Sequence, residues 1–178
     1  INEAKDNVVV VCHALTGNAS LNEWWGAMLG PGKSFDTDKY LVVCANVVGS
    51  CYGSTGPTSV NPETGKVYGN TFPDVTIRDT VSAHIEMVQK GLGAKSVHAV
   101  IGGSLGGMQT LEWALLGGAY VKKAIVIGCG AEHTSWQIGI SEAQRQCIYA
   151  DPKWNGGDVY MNDPPRRGLG VARQQAML

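Results

Sequence analysis

The sequence predicts an α/β fold, and three observations carry that prediction. Four short runs, residues 7–12, 40–45, 96–101 and 123–128, are nearly continuous in Val, Ile, Leu and Ala, the composition of strands buried on both faces of a parallel sheet. Helical patterns at residues 21–29, 77–92 and 105–116 stand between them. Strand and helix therefore alternate, which calls for right-handed crossovers and a mostly parallel central sheet with helices on both faces.

The second helix has the clearest start: Thr76 and Asp79 stand at capping-box spacing, and Gly91 and Gly93 lie near its end. Residues 46–73 are dense in Gly, Ser, Thr, Pro and Asn and read as one long loop, a length that in a compact domain usually signals function. After the fourth strand the alternation stops. Residues 135–149 read as a helix, DPKWNGGD and NDPPRRGLG as turns, and residues 171–178 as the start of a further helix. Residues 1–134 are thus expected to form the core and 135–178 a second region.

Composition excludes several functions. The 178 residues suffice for one domain or a piece of a larger one. With 14 Lys and Arg against 15 Asp and Glu, and no basic block, the chain has nothing to track a phosphate backbone, so no nucleic-acid partner is expected. Cys12, Cys44, Cys51, Cys129 and Cys147 form no C-x-x-C pair and have no His at ligand spacing, so no metal is expected. Three of them flank or enter strand-like runs, as small buried hydrophobes do, which fits a reducing, cytoplasmic compartment. No apolar run approaches the ~20 residues a bilayer requires, and INEAKDN is no signal sequence, so no membrane partner is expected.

Gly102-Gly103-Ser104-Leu105-Gly106 has the G-x-S-x-G pattern, directly after the strand SVHAVI and directly before the helix LGGMQTLEWALL. That context makes it a nucleophile elbow, a sharp strand-to-helix turn that lifts the serine hydroxyl above the sheet. Gly102, Gly106 and Gly107 leave the room that such a turn needs. A dinucleotide loop is excluded, because G-x-G-x-x-G meets Ser104 and Leu105 where glycines should stand, and there is no Gly-Lys-Ser/Thr of a Walker A loop. Ser104 is therefore the candidate nucleophile and the Leu105 N–H, at the positive end of the helix, the first oxyanion donor. A second donor belongs on the loop after an earlier strand. His13-Ala14-Leu15-Thr16-Gly17 fills that place, which makes the Leu15 N–H the candidate. His13 is read as a partner that fixes this loop, not as a base.

The rest of a triad is not evident. In α/β-hydrolases the order is Ser, acid, His, yet the only histidine after Ser104 is His133, and Asp151, Asp158 and Asp163 all follow it. Glu112 lies on the elbow helix, Glu132 adjoins His133, and Glu142 is the remaining glutamate. The base and its acid are accordingly expected beyond Leu178, and the chain is read as a fragment.

These segments together resemble the homoserine O-acetyltransferase family of the α/β-hydrolase superfamily. The resemblance runs through CHALTG, NVVGSCYGSTGPTSVNP, FPDVTIRDTV, GGSLGGMQTLEW, EAQRQCIYADPKW and GLGVARQQAML, nearly the whole chain. It implies an α/β-hydrolase fold whose helical lid begins at residue 135. It also implies a ping-pong reaction in methionine biosynthesis: acetyl-CoA, a co-substrate and not a bound cofactor, acylates Ser104, and L-homoserine then takes the acetyl group. Leu15 and Leu105 match the family's oxyanion positions, and Arg173 matches the arginine that grips the substrate amino acid. An arginine suits that role because its planar fork binds a carboxylate through two hydrogen bonds. The full-length protein is expected to be a homodimer. Other readings stay open: a succinyl donor, a serine acceptor, a carboxylesterase with water as acceptor, or a non-catalytic binding protein of the same fold.

Overall fold

The computed structural model describes residues 1–157 and 163–177, so Asp158 and Leu178 lie outside the described residues. The chain divides into two compact units, residues 1–54 with 74–131, and residues 55–73 with 132–178.

In the first unit the four apolar runs form β1 (Val8–Cys12), β2 (Leu41–Cys44), β3 (Val97–Gly103) and β4 (Ala124–Ile127). They make one parallel sheet in the order β2-β1-β3-β4. Side chains of a strand point alternately to opposite faces, and β1 uses both. Val8, Val10 and Cys12 pack with Val81, Val88 and Trp113, whereas Val9 and Val11 pack with Leu21, Phe35 and Ala99. Helices consequently cover both faces: α2 (Ile77–Glu86) and α3 (Leu105–Gly117) on the first, and α1 (Leu21–Trp24) on the second. Each Val buried in this way contributes about 1.5–3 kcal/mol. The register of β1 on β3 slips where Val8 faces Val97 and Val9 faces Ala99. His98 is the extra residue, and its ring lies 4.8 Å from that of Tyr40.

The sheet departs from the sequence expectation at its rim. β1 is buried as expected, but β2 is half-buried and β4 is exposed, with Ile125 and Ile127 each 45% accessible. Among the described residues β4 pairs with β3 alone, although its composition is that of a strand covered on both faces. The helix expected at residues 21–29 also breaks. Ser20 makes no side-chain cap, Gly26 weakens the run, and a 3₁₀ turn (Gly26–Met28) follows α1. Trp24 and Trp25 settle on each other and on Phe35 in place of a continued helix, with ring centroids 4.9 and 5.7 Å apart. For α2 the expected capping box is present: Thr76 and Asp79 exchange bonds between side chain and backbone. A π-turn, Met87–Gly91, carries this helix to its end.

The second unit holds α4 (Ser135–Tyr149) and α5 (Arg166–Gln175). Residues 55–73 belong to it as well, so the long loop is shared between the units, and it contains a 3₁₀ turn at Gly69–Thr71 and a bridge from Val60 to Val67. The last helix starts five positions earlier than residue 171, at Arg166, because Gly168 and Gly170 do not break it. Gly168 is a crossing point: a Cβ there would lie 2.5 Å from the Cys147 carbonyl oxygen and 2.9 Å from the Ile148 Cα of α4. Pro165 gives α5 no side-chain cap. Asp151 supplies one from a distance, its carboxylate accepting the Gly168 N–H at 2.8 Å and the Lys153 N–H at 2.9 Å. Those backbone bonds, that from Gly168 first, hold the Asp151 carboxyl below its ordinary value.

Candidate active site

The chain leaves β1 for β2 on one side and returns past β1 to β3 on the other. The order of strands therefore reverses between β1 and β3, and in such sheets the crevice at the carboxyl ends of those two strands is where ligands bind. Two sequence features meet there: His13 follows the last residue of β1, and Ser104 follows the last residue of β3.

Ser104 has φ 54° and ψ −121°, a backbone conformation that costs a non-glycine residue about 1–3 kcal/mol. It is held by its N–H, which donates to the Ile127 carbonyl at 3.0 Å, and by its own carbonyl, which accepts the Met108 N–H at 3.1 Å. The turn is too tight for side chains on its inner side. A Cβ on Gly102 would lie 2.2 Å from the Gly106 oxygen, and one on Gly106 would lie 2.1 Å from the Cys12 oxygen. Gly107 faces Cys129 Sγ in the same way, at 2.7 Å. Ser104 itself is exposed, and its hydroxyl makes no hydrogen bond among the described residues.

Because the Ser104 N–H is occupied by β4, the first open donor of α3 is the Leu105 N–H. The loop after β1 turns tightly, the Gly17 N–H donating to the Ala14 carbonyl at 2.9 Å, and this leaves Leu15 exposed at its tip. Neither Leu15 nor Leu105 donates its N–H to an acceptor among the described residues. His13 is buried and fixes this loop. Its Nε2 accepts the Val47 N–H at 3.2 Å, so the ring proton sits on Nδ1, which donates to the Ala14 carbonyl at 2.8 Å. With both nitrogens engaged by backbone, His13 is not placed to take a proton from Ser104. From α3, Gln109 donates to the His13 carbonyl at 3.2 Å. Behind Val47, the Asn46 carbonyl accepts His84 Nε2–H at 3.0 Å, and burial holds the His84 imidazole below its ordinary value.

The carboxylates of Glu112 and Glu142 and two of the thiols are accounted for by their surroundings. Both carboxylate oxygens of Glu112 are bound by Arg78, at 2.8 and 3.1 Å, and those of Glu142 by Arg145 and Gln146. Burial pushes the Cys12 thiol up to about 12 and the Cys44 thiol to about 11, so neither is a thiolate nucleophile. Arg173 and His133 lie in the second unit. Arg173 is exposed in the last turn of α5, where the helix dipole favours a cation, and it has no carboxylate partner among the described residues. The sequence reading missed Gln109, Asn46 and His84. The available signal was a lone amide at position 109 in a helix whose neighbours, Met108, Leu111 and Trp113, are apolar.

The homoserine O-acetyltransferase of Trichormus variabilis is 53% identical over 177 residues, which cover 99% of this chain and 49% of that protein. The chain thus spans about half the length of the curated relatives it matches. Among solved structures, the homoserine O-acetyltransferase from Bacillus anthracis is similar with a TM-score of 0.88 at 30% identity, over 99% of this chain and 51% of that one. A crystallised esterase is similar with a TM-score of 0.87 at 33% identity, over 99% of this chain and 52% of its own. The family described as alpha/beta hydrolase fold matches residues 7–178. That match begins just before β1 and runs through every element of both units, and the chain belongs to the α/β-hydrolase fold family.

Proposed function

We propose that the protein is an acetyltransferase that moves an acetyl group from acetyl-CoA to the hydroxyl of L-homoserine through an acyl-Ser104 intermediate. The observation that carries this reading is Ser104 itself: an exposed hydroxyl on a strained turn between β3 and α3, directly before the Leu105 N–H, which has no acceptor among the described residues. The names of the curated relatives support the acetyl group and homoserine as its acceptor.

The Ser104 oxygen attacks the thioester carbonyl of acetyl-CoA, and the Leu15 and Leu105 N–H groups take the negative charge that develops on the carbonyl oxygen. Collapse expels the CoA thiolate and leaves the acetyl ester on Ser104. The homoserine hydroxyl then attacks that ester through the same oxyanion. A base must remove the serine proton, and among the described residues of the first unit none is placed for it. Acetyl-CoA and L-homoserine are the small-molecule partners of this scheme, which uses no bound cofactor. No described helix is long and apolar enough to cross a membrane.

Ping-pong chemistry separates the two halves, and the test uses that separation. In the full chain, acetyl-CoA alone should release a burst of CoA, and homoserine should restart turnover. Arg173 is assigned to the homoserine carboxylate, so Arg173→Lys and Arg173→Ala should keep the burst while transfer falls in the order wild type, Lys, Ala. Each charge-assisted hydrogen bond lost removes roughly 1.5–3 kcal/mol. Loss of the burst in both variants would assign Arg173 to the donor or to the fold.

One alternative has a specific observation behind it, the similarity at 33% identity to a solved esterase. An esterase would use the same elbow with water in place of homoserine.

A further inference from the structure

We infer that Gln109 is a positioning residue for the oxyanion hole: its carboxamide ties the loop that carries Leu15 to the helix turn that carries Leu105. The inference rests on the acyl-serine reading above. Gln109 is 1% exposed, and its Nε2 lies 3.2 Å from the His13 carbonyl oxygen and 3.5 Å from that of Leu105. Only the N–H end of an amide can face two carbonyls, so its orientation follows from its partners. The other end is not satisfied. Oε1 is buried with no hydrogen-bond partner among the described residues, and Gln109 lines a cavity of about 150 Å³ together with Val47, Ile77, Thr80 and Leu105.

An unbranched apolar side chain of the same length would fill that space without stranding an oxygen, and burying an acceptor unpaired is unfavourable. The use of an amide here therefore lies in its donor end. What that end holds is the carbonyl of the first residue of the loop whose third residue is Leu15. The other anchors of the loop lead elsewhere: His13 Nε2 binds the segment after β2, and the Gly17 N–H closes the turn on itself. Gly106 lets α3 approach the end of β1, but that contact is steric and sets no direction. Gln109 adds the directional bond, one turn into the helix whose first N–H is the other donor.

The test is made in the full chain with Gln109→Met, which keeps the length and removes the donor, and with Gln109→Glu, which keeps the shape without an N–H should the Met variant fold poorly. Sites are counted by the burst of CoA released from acetyl-CoA, and the acylation rate is expressed per counted site. Loss of one oxyanion donor costs ~10²–10³-fold, so loosening the loop that carries one is expected to slow acylation by about 10-fold or more with KM unchanged. Affinity for a trifluoromethyl ketone, which Ser104 attacks to give a tetrahedral adduct, should fall in step with kcat/KM. A role in packing alone would lower the number of sites and the melting temperature but leave the rate per site and the ketone affinity as in wild type, and that result overturns the inference. A wild type that forms no acyl-Ser104 would instead overturn the acyl-serine reading, and this inference with it.

Discussion

Replacing Ser104 by Ala in the full chain is expected to abolish acetyl transfer, and the acetyl label left by acetyl-CoA on the wild type is expected on Ser104. Removal of the serine from a protease triad costs on the order of 10⁶ in turnover, which at 1.36 kcal/mol per tenfold is about 8 kcal/mol of barrier. The loss should be of that order here because attack by Ser104 is the step on which both half-reactions depend. The substitution also leaves the fold in place, since the hydroxyl makes no hydrogen bond among the described residues and the backbone bonds to Ile127 and Met108 need no side chain. Mass spectrometry of the acetylated peptide decides the matter. A label on another residue, or an Ala variant with substantial transfer, would remove Ser104 from the mechanism.

The second large effect is expected at Gly106. A methyl group there would sit 2.1 Å from the Cys12 oxygen, 2.8 Å from the Cys12 carbonyl carbon and 3.1 Å from the His13 oxygen. All three are backbone atoms, so the clash is not relieved by a side chain turning away. Gly106→Ala must push α3 off the end of β1, at a cost of roughly 1–3 kcal/mol or more. A displacement of about 1 Å at catalytic groups can cost on the order of 10²-fold in rate, so activity should fall even in molecules that remain folded. Gly139→Ala is the matched control. Gly139 lies inside α4 with nothing within 4 Å of a Cβ, and alanine in a helix is favoured over glycine by roughly 0.5–1 kcal/mol. Urea unfolding should place the midpoint of Gly106→Ala well below wild type and that of Gly139→Ala at or above it. Equal midpoints would mean that α3 does not pack on β1 as closely as described.

How far the sequence could be read depended on how local the cause was. The four strands, the Thr76 capping box and the bounds of α4 follow from composition and spacing within a few residues, and the structure has them there. The elbow was legible because strand, glycines and helix are contiguous. The accessibility of β4 was not, since its composition is that of a buried strand, whereas among the described residues β3 alone pairs with it. NDPPRRGLG read as turns for a similar reason: it is a contact with Cys147 and Ile148 that leaves no room for a Cβ at Gly168, inside α5. The network around the oxyanion loop is the extreme case. His13, Val47, His84 and Gln109 come from four separate segments, and nothing near any one of them names the others.

The central claim, that the acetyl group passes from Ser104 to an amino-acid hydroxyl and not to water, is tested most directly by following the product. The full chain is mixed with acetyl-CoA and L-homoserine, and CoA, O-acetylhomoserine and free acetate are measured together. The account predicts that O-acetylhomoserine appears in step with CoA, with little free acetate while homoserine is present. CoA released with an equal amount of acetate, whether homoserine is present or absent, would contradict it and make the protein an esterase.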